Sequence, residues 1–176
     1  MLRRASFWLL TVFLLGLVGC DHATKHWAES ELRGHPNRPI VENVLELAYT
    51  QNRDVGFSLL GRAGLSARAR KPVIFVMATI GLVVLSAMWV RRRGAGWPEH
   101  AAFALLTAGA IGNLSDRLIR GYVVDFVYLH HWPVFNAADV WLVAGGILLF
   151  LTQVRQLRPS ADDPASPAVQ PAPHGR

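Results

Sequence analysis

The residues best suited to chemistry in this 176-residue chain are two aspartates in short apolar settings. Asp125 lies in Val123-Val124-Asp125-Phe126, and Asp139 closes Phe135-Asn136-Ala137-Ala138-Asp139. Two carboxyl groups a few ångströms apart cannot both ionise easily, so one holds a proton while the other stays charged. Such a pair can draw a proton from water and give one to a carbonyl oxygen or a departing amine. That is the chemistry of peptide hydrolysis without a serine, a cysteine or a metal. A second polar group precedes it, Gly112-Asn113-Leu114-Ser115-Asp116-Arg117. Asn113, Asp116, Arg117 and Arg120 fall at i, i+3, i+4 and i+7 and are expected on one helix face, with Asn136 and Asp139 sharing another.

Each of these groups also has a plainer use. Asp139 could be a helix N-cap, Asp125 an interfacial carboxylate, Asp116 and Arg117 an ion-paired scaffold, and Asn113 and Asn136 bridges between helices. Two carboxylates in two motifs at one depth favour the chemical reading. His130 and His131 lie between the aspartates, but neighbouring histidines in a strand or loop point apart. With Tyr128 and Trp132 they read as interfacial residues, and no metal or other cofactor is expected.

The elements that must position these residues are apolar. Hydrophobic residues make up 52% of the chain and charged ones only 17%, against about 25% charged in soluble domains. Four stretches, residues 5–20, 73–90, 100–118 and 134–151, approach the roughly 17–25 residues needed to cross a bilayer. The first is expected to continue as helix to Trp27, and Pro72 is expected in the first turn of the second. Carboxylates in such spans persist only when paired or facing a watery cavity. The expected fold is therefore an all-α membrane protein of four transmembrane helices, residues 1–158. A small extracytoplasmic β-element over 40–60, turning at Asn52-Arg53-Asp54, comes between helices one and two. The Pro/Ala-rich tail 159–176 is expected to be disordered.

Arg3 and Arg4, Arg91 to Arg93, and Arg155 with Arg158 flank the spans on one side of a four-crossing chain. That side is expected to be cytoplasmic, with both termini inside and the two aspartates near the outer face. The eight Lys and Arg of residues 21–71 weigh the other way. The net charge of +6 fits lipid headgroups, and nothing resembles a nucleic-acid motif. The single cysteine, Cys20, ends a stretch that also reads as a signal peptide with a lipobox-like Leu-Val-Gly-Cys, although three further spans suit a lipoprotein badly. A small transporter with buried charges on an ion path is the remaining rival.

At these motifs the chain resembles the lipoprotein signal peptidase, or signal peptidase II, family over roughly residues 5–155. Asp21-His22-Ala23-Thr24-Lys25 is similar to D-x-x-[ST]-K, and residues 52–57 to N-x-G-x-x-F. The runs at 112–117, 123–126 and 135–139 match G-N-x-x-D-R, V-V-D-F and F-N-x-A-D. The resemblance implies an aspartyl endopeptidase of the bacterial inner membrane with Asp125 and Asp139 as its dyad. It places Asp21, Lys25, Asn52, Asn113, Asp116, Arg117 and Asn136 in substrate-contacting or supporting roles. It implies lipidated prolipoproteins as substrates, cut just before a diacylglyceryl-cysteine, membrane lipids as further partners, a monomer, and sensitivity to globomycin. One position departs from the pattern: Asp54 stands where the family has glycine, with Gly56 two residues on.

Overall fold

The computed structural model describes residues 2–53 and 66–157. Asp54, Gly56 and the tail from 159 lie outside them. The chain runs α1 (Leu2–Glu31), β1 (Arg38–Val41), β2 (Leu45–Asn52), α2 (Ala67–Arg91), α3 (Trp97–Ile119), β3 (Val123–Leu129) and α4 (Ala137–Leu157). It is mostly helical, with one three-stranded antiparallel sheet in the order β1-β2-β3.

Helix α3 is the hub and touches α1, α2, α4 and β3. Its buried face is built from small residues, including Ala102, Ala104, Ala108, Gly109 and Gly112. Small residues let backbones approach, which is how helices gain dispersion energy when lipid removes the hydrophobic drive. At Gly109 a Cβ would collide with the Ala138 carbonyl oxygen, and at Gly145 it would lie 2.9 Å from the Leu106 nitrogen and 3.0 Å from the Ala102 oxygen. α3 and α4 therefore meet backbone to backbone. α2 is held to α3 more loosely, through stacking of Trp89 on Phe103 and a 2.9 Å hydrogen bond from Trp89 Nε1 to His100 Nδ1.

The outer surface is apolar. Val83 on α2 and Val143 on α4 are 62% and 63% exposed, in company with Val76, Ile80, Ile147 and Phe150. Such continuous exposed apolar faces mark contact with lipid or another protein. Segments Lys71–Arg91 and Ala137–Gln156 are long and apolar enough to cross a membrane. α1 and α3 carry Asp21, Lys25, Glu99 and Asp116, and all four of those side chains are buried.

Several sequence expectations change. α1 does continue past Trp27, to Glu31. α2 begins at Ala67, so Pro72 is its sixth residue rather than a first-turn proline; Ser66 caps the helix by accepting from the Ala69 N–H. β1 and β2 are joined by a turn at Glu42-Asn43-Val44, with Asn43 at φ 58°, a left-handed conformation asparagine tolerates, while the turn expected at Asn52-Arg53-Asp54 runs into residues outside those described. The fold is not all-α with β-structure confined between the first two helices. The segment carrying Asp125 is itself a strand, and its Val-Val-Asp-Phe-Val run has the branched and aromatic residues strands favour.

The tight α3–α4 seam yields a test. Gly145→Ala should lower Tm in detergent, by a destabilisation of about 1–3 kcal/mol. Gly146→Ala, where a Cβ meets nothing, should leave Tm equal or higher. Equal losses at both would refute the close seam.

Candidate active site

Strand register decides which way Asp125 points. β2 and β3 pair Leu47 with Val127, but Thr50 with Asp125 and Asn52 with Val123. A bulge between Leu47 and Thr50 supplies the extra residue. Without it Asp125 would oppose Tyr49, and Asn52 would fall on the other face. With it, Asn52 lies diagonal to Asp125 on the same face, within reach across the strands. Asn52 Nδ2 donates to Asp125 Oδ2 at 2.9 Å. Alternation sends Val124 and Phe126 the opposite way, into a cluster with Ala28 of α1 and Leu32 just past its end.

Asn136 approaches Asp125 because the chain doubles back after β3. Val127 and Phe135 form an antiparallel bridge, with Phe135 N–H donating to the Val127 oxygen at 2.9 Å. Asn136 Nδ2 then donates to Asp125 Oδ1 at 2.6 Å. Asn136 is also the N-cap of α4. Its Oδ1 accepts from the Asp139 N–H at 3.2 Å, and Asp139 Oδ2 accepts from the Asn136 N–H at 3.1 Å. This reciprocal capping box explains the i, i+3 spacing of the Asn136 and Asp139 pair. The cap and the site use the same carboxylate.

Asn113 of α3 completes the link. Its Nδ2 donates to Asp139 Oδ1 at 2.8 Å, and its Oδ1 accepts from Asn136 Nδ2 at 3.2 Å and from Lys25 Nζ at 3.1 Å. Asp125, Asn136, Asn113 and Asp139 thus form one hydrogen-bonded chain. Each carboxylate oxygen in it accepts one such bond and keeps a second lone pair for water or a proton. Burial pushes the Asp125 carboxyl up to about 6, aided by the charge of Asp139 and opposed by the Asn52 and Asn136 bonds and by Lys25.

Lys25 is fully buried. Its ammonium lies 2.8 Å from Asp21 Oδ2, one helical turn away, and 3.2 Å from Asp116 Oδ2. Each carboxylate has a second task. Asp21 Oδ1 accepts the Ala138 N–H at 2.9 Å, satisfying a free amide at the start of α4. Asp116 Oδ2 accepts the Val124 N–H at 3.2 Å, fixing the residue before Asp125, and its Oδ1 pairs with Arg120. Gly112 belongs here too, since a Cβ on it would strike the Asp21 carboxylate.

Of the nine residues singled out by sequence, eight join this network. Arg117 lies at the cleft edge of the face it shares with Asn113: its Nη1 donates to the Asn113 backbone oxygen at 2.9 Å, and it lines a cleft with Asn52 and Arg53. Asp116 pairs with Lys25 and Arg120. His130 lies 3.2 Å from Glu46, whose carboxyl is held below its usual range by bonds to Asn37 and His130. Sequence reasoning missed Glu29. It lies 3.3 Å from Arg120 and accepts hydroxyls of Tyr49 and Tyr122 at 3.4 Å, joining α1 to α3 and the sheet. Its place four residues after Lys25, on the face of Asp21 and Lys25, was the available signal.

Residues 13–155 match the family model described as signal peptidase (SPase) II. A protein of Xanthomonas euvesicatoria named lipoprotein signal peptidase is 36% identical over 148 residues, covering 81% of this chain and 83% of that one. A protein of the same name from Syntrophomonas wolfei is 34% identical over 139 residues, covering 79% and 87%. Two solved structures, each titled a bacterial membrane enzyme determined by the in meso method, share the fold. They have TM-scores of 0.73 and 0.71 at 23% and 24% identity, and cover 84% of this chain and 88% and 93% of theirs.

Removing the central cation tests the network. Lys25→Met would strand two buried carboxylates, at a cost of roughly 3–5 kcal/mol. Thermal unfolding in detergent should show a large fall in Tm. An unchanged Tm would mean Lys25 is not the buried counter-charge.

Proposed function

Since the chain belongs to the signal peptidase II family, proteases that remove signal peptides from prolipoproteins, we propose that it does so as an aspartic endopeptidase, with Asp125 and Asp139 as the catalytic pair. The observation that carries this is the single hydrogen-bonded chain from Asp125 through Asn136 and Asn113 to Asp139. It ties two carboxylates from a strand and a helix into one unit, with no competing nucleophile in it.

In the proposed reaction a water held between the carboxyl groups gives a proton to the ionised one while its oxygen attacks the scissile carbonyl carbon. The protonated partner donates a hydrogen bond to the carbonyl oxygen as negative charge gathers there. Collapse of the tetrahedral intermediate breaks the C–N bond, and the proton taken from water passes to the departing amine. The signal peptide leaves with a carboxyl terminus. Asn52, Asn113 and Asn136 hold the carboxylates in place, and Lys25 with Asp21 and Asp116 supports them from behind. Arg117, on the cleft side, is the residue suited to a substrate carbonyl.

The substrate in this reading is a prolipoprotein bearing diacylglycerol on the cysteine just after the cut. Such a substrate diffuses in the bilayer, so the site must open near its surface. We read α1 to α4 as four spans of the bacterial inner membrane, with both termini cytoplasmic and the sheet outside. Asp21 and Lys25 of α1 and Glu99 and Asp116 of α3 are buried, which supports spanning by helices that are not apolar throughout. Arg92, in the α2–α3 turn, donates to Gln153 of α4 at 3.2 Å and pairs with Glu99, and Arg155 near the α4 end lines a hollow with the same Glu99. That clustering fits the positive-inside bias. The chain is read as acting as a monomer, without a cofactor.

Asp125→Asn and Asp139→Asn should each reduce cleavage of a purified diacylglyceryl-prolipoprotein by about 10²–10⁴-fold or more, with Tm and membrane insertion retained. Full activity in either variant would end the proposal.

The pH profile gives a second test. The pair works with one proton on it, so kcat/KM should fall as pH rises past about 6, where Asp125 loses its proton. Asn52 stabilises the ionised form, so Asn52→Ala should shift this limb to higher pH. A shift to lower pH would contradict the assigned hydrogen bond.

A further inference from the structure

Beside the catalytic network, on the α2 side, lies a small open cleft of about 60 Å³. It is lined by Asn52, Arg53, Lys71, Ile74, Phe75, Arg117 and Gly121. Three of these are cations, and no acidic side chain lines the cleft among the described residues. The described partners of Arg53 are neutral: it donates to Gln51 Oε1 at 3.1 Å and sits over the Tyr122 ring. Lys71 is exposed. The catalytic mechanism uses neither Arg53 nor Lys71.

The other wall is apolar and leads away along α2. Lys71, Ile74 and Phe75 stand at i, i+3 and i+4 on one face, and Phe75 begins the exposed apolar surface continued by Val76, Ile80 and Val83. A cationic hollow opening onto a lipid-facing helix has the shape of an amphiphile site: anionic at one end, hydrocarbon along its length. The diacylglyceryl substrate carries no phosphate, so the cations are not explained by its lipid group.

We infer that the Arg53 and Lys71 side of this cleft, away from the substrate-facing Arg117, binds the phosphate headgroup of an anionic phospholipid whose acyl chains lie along α2. Asn52 both lines this cleft and donates to Asp125, so the lipid sits one residue from the catalytic pair and forms part of the wall past which a membrane-borne substrate enters. The inference rests on the membrane reading above.

The test is headgroup-resolved lipid binding, which involves no cleavage. The full-length protein in detergent is titrated with phosphatidylglycerol, phosphatidylcholine or inorganic phosphate and examined by native mass spectrometry. One phosphatidylglycerol should be retained in preference to phosphatidylcholine, and millimolar inorganic phosphate should not displace it. Arg53→Ala and Lys71→Ala should each weaken that preference about fivefold, as expected for one cation near an anionic lipid, and Lys71→Arg should restore it. Both positions are exposed, and Tm verifies that the variants fold. Retention that is indifferent to headgroup, or unchanged in the Arg53→Ala/Lys71→Ala double variant, overturns the inference but leaves the protease reading intact. Displacement by inorganic phosphate makes the site one for a soluble anion and also overturns it. Failure to retain any lipid or enter vesicles would instead count against the membrane reading on which it rests.

Discussion

A lysine ammonium shut away from solvent has to be neutralised where it stands. In this protein Lys25 meets that requirement with two carboxylates from different helices, Asp21 and Asp116, and with the amide oxygen of Asn113. Those partners do more than balance charge. Asp21 holds an amide at the start of α4, Asp116 holds the backbone of β3, and Asn113 reaches Asp139. Two separate stretches of chain, β3 and the start of α4, are located by one buried cation, and each brings one of the aspartates. Buried ion pairs contribute little net stability against an apolar core of the same volume. Their value in this fold lies in geometry: the network is satisfied in one arrangement of α1, α3, α4 and β3.

Asn136 turns that geometry into proximity. As the N-cap of α4 it exchanges hydrogen bonds with Asp139, and through its side-chain amide it holds Asp125. A capping residue commonly contributes about 1 kcal/mol to a helix; this one also joins the two halves of the site. The bulge in β2 is the second device of this kind. One extra residue rotates Asn52 onto the face of Asp125, and the same asparagine borders the cationic cleft.

Much of this was readable in the residues, and the failures have physical causes. Helical spacing paired Asn136 with Asp139, because i, i+3 neighbours meet whatever the tertiary context, while Asp21 and Lys25 were marked by the motif resemblance alone. Buried polar residues in apolar stretches pointed to the site, since such groups need partners. What periodicity could not show was the strand. Asp125 was expected in a short connection, whereas it is the third residue of β3, whose partner β2 lies more than seventy residues earlier. Pairing at that distance leaves no local trace, and the bulge that sets its register leaves less. Arg117 was grouped with Asn113 and Asp116 by spacing alone, although a face wide enough for all of them borders two different surroundings.

Asp125 and Asp139 are read as one electrostatic unit, close enough for the charge of one to be felt by the other. The most direct measurement is a ¹³C NMR titration of carboxyl-labelled aspartates in the detergent-solubilised protein, read in the parent chain and in Asp139→Asn. One resonance, lost in Asp125→Asn, should titrate near pH 6, and its midpoint should fall when Asp139 no longer carries a charge. A midpoint in the ordinary carboxylate range near 4, indifferent to the residue at 139, would show two independent acids and contradict the shared site.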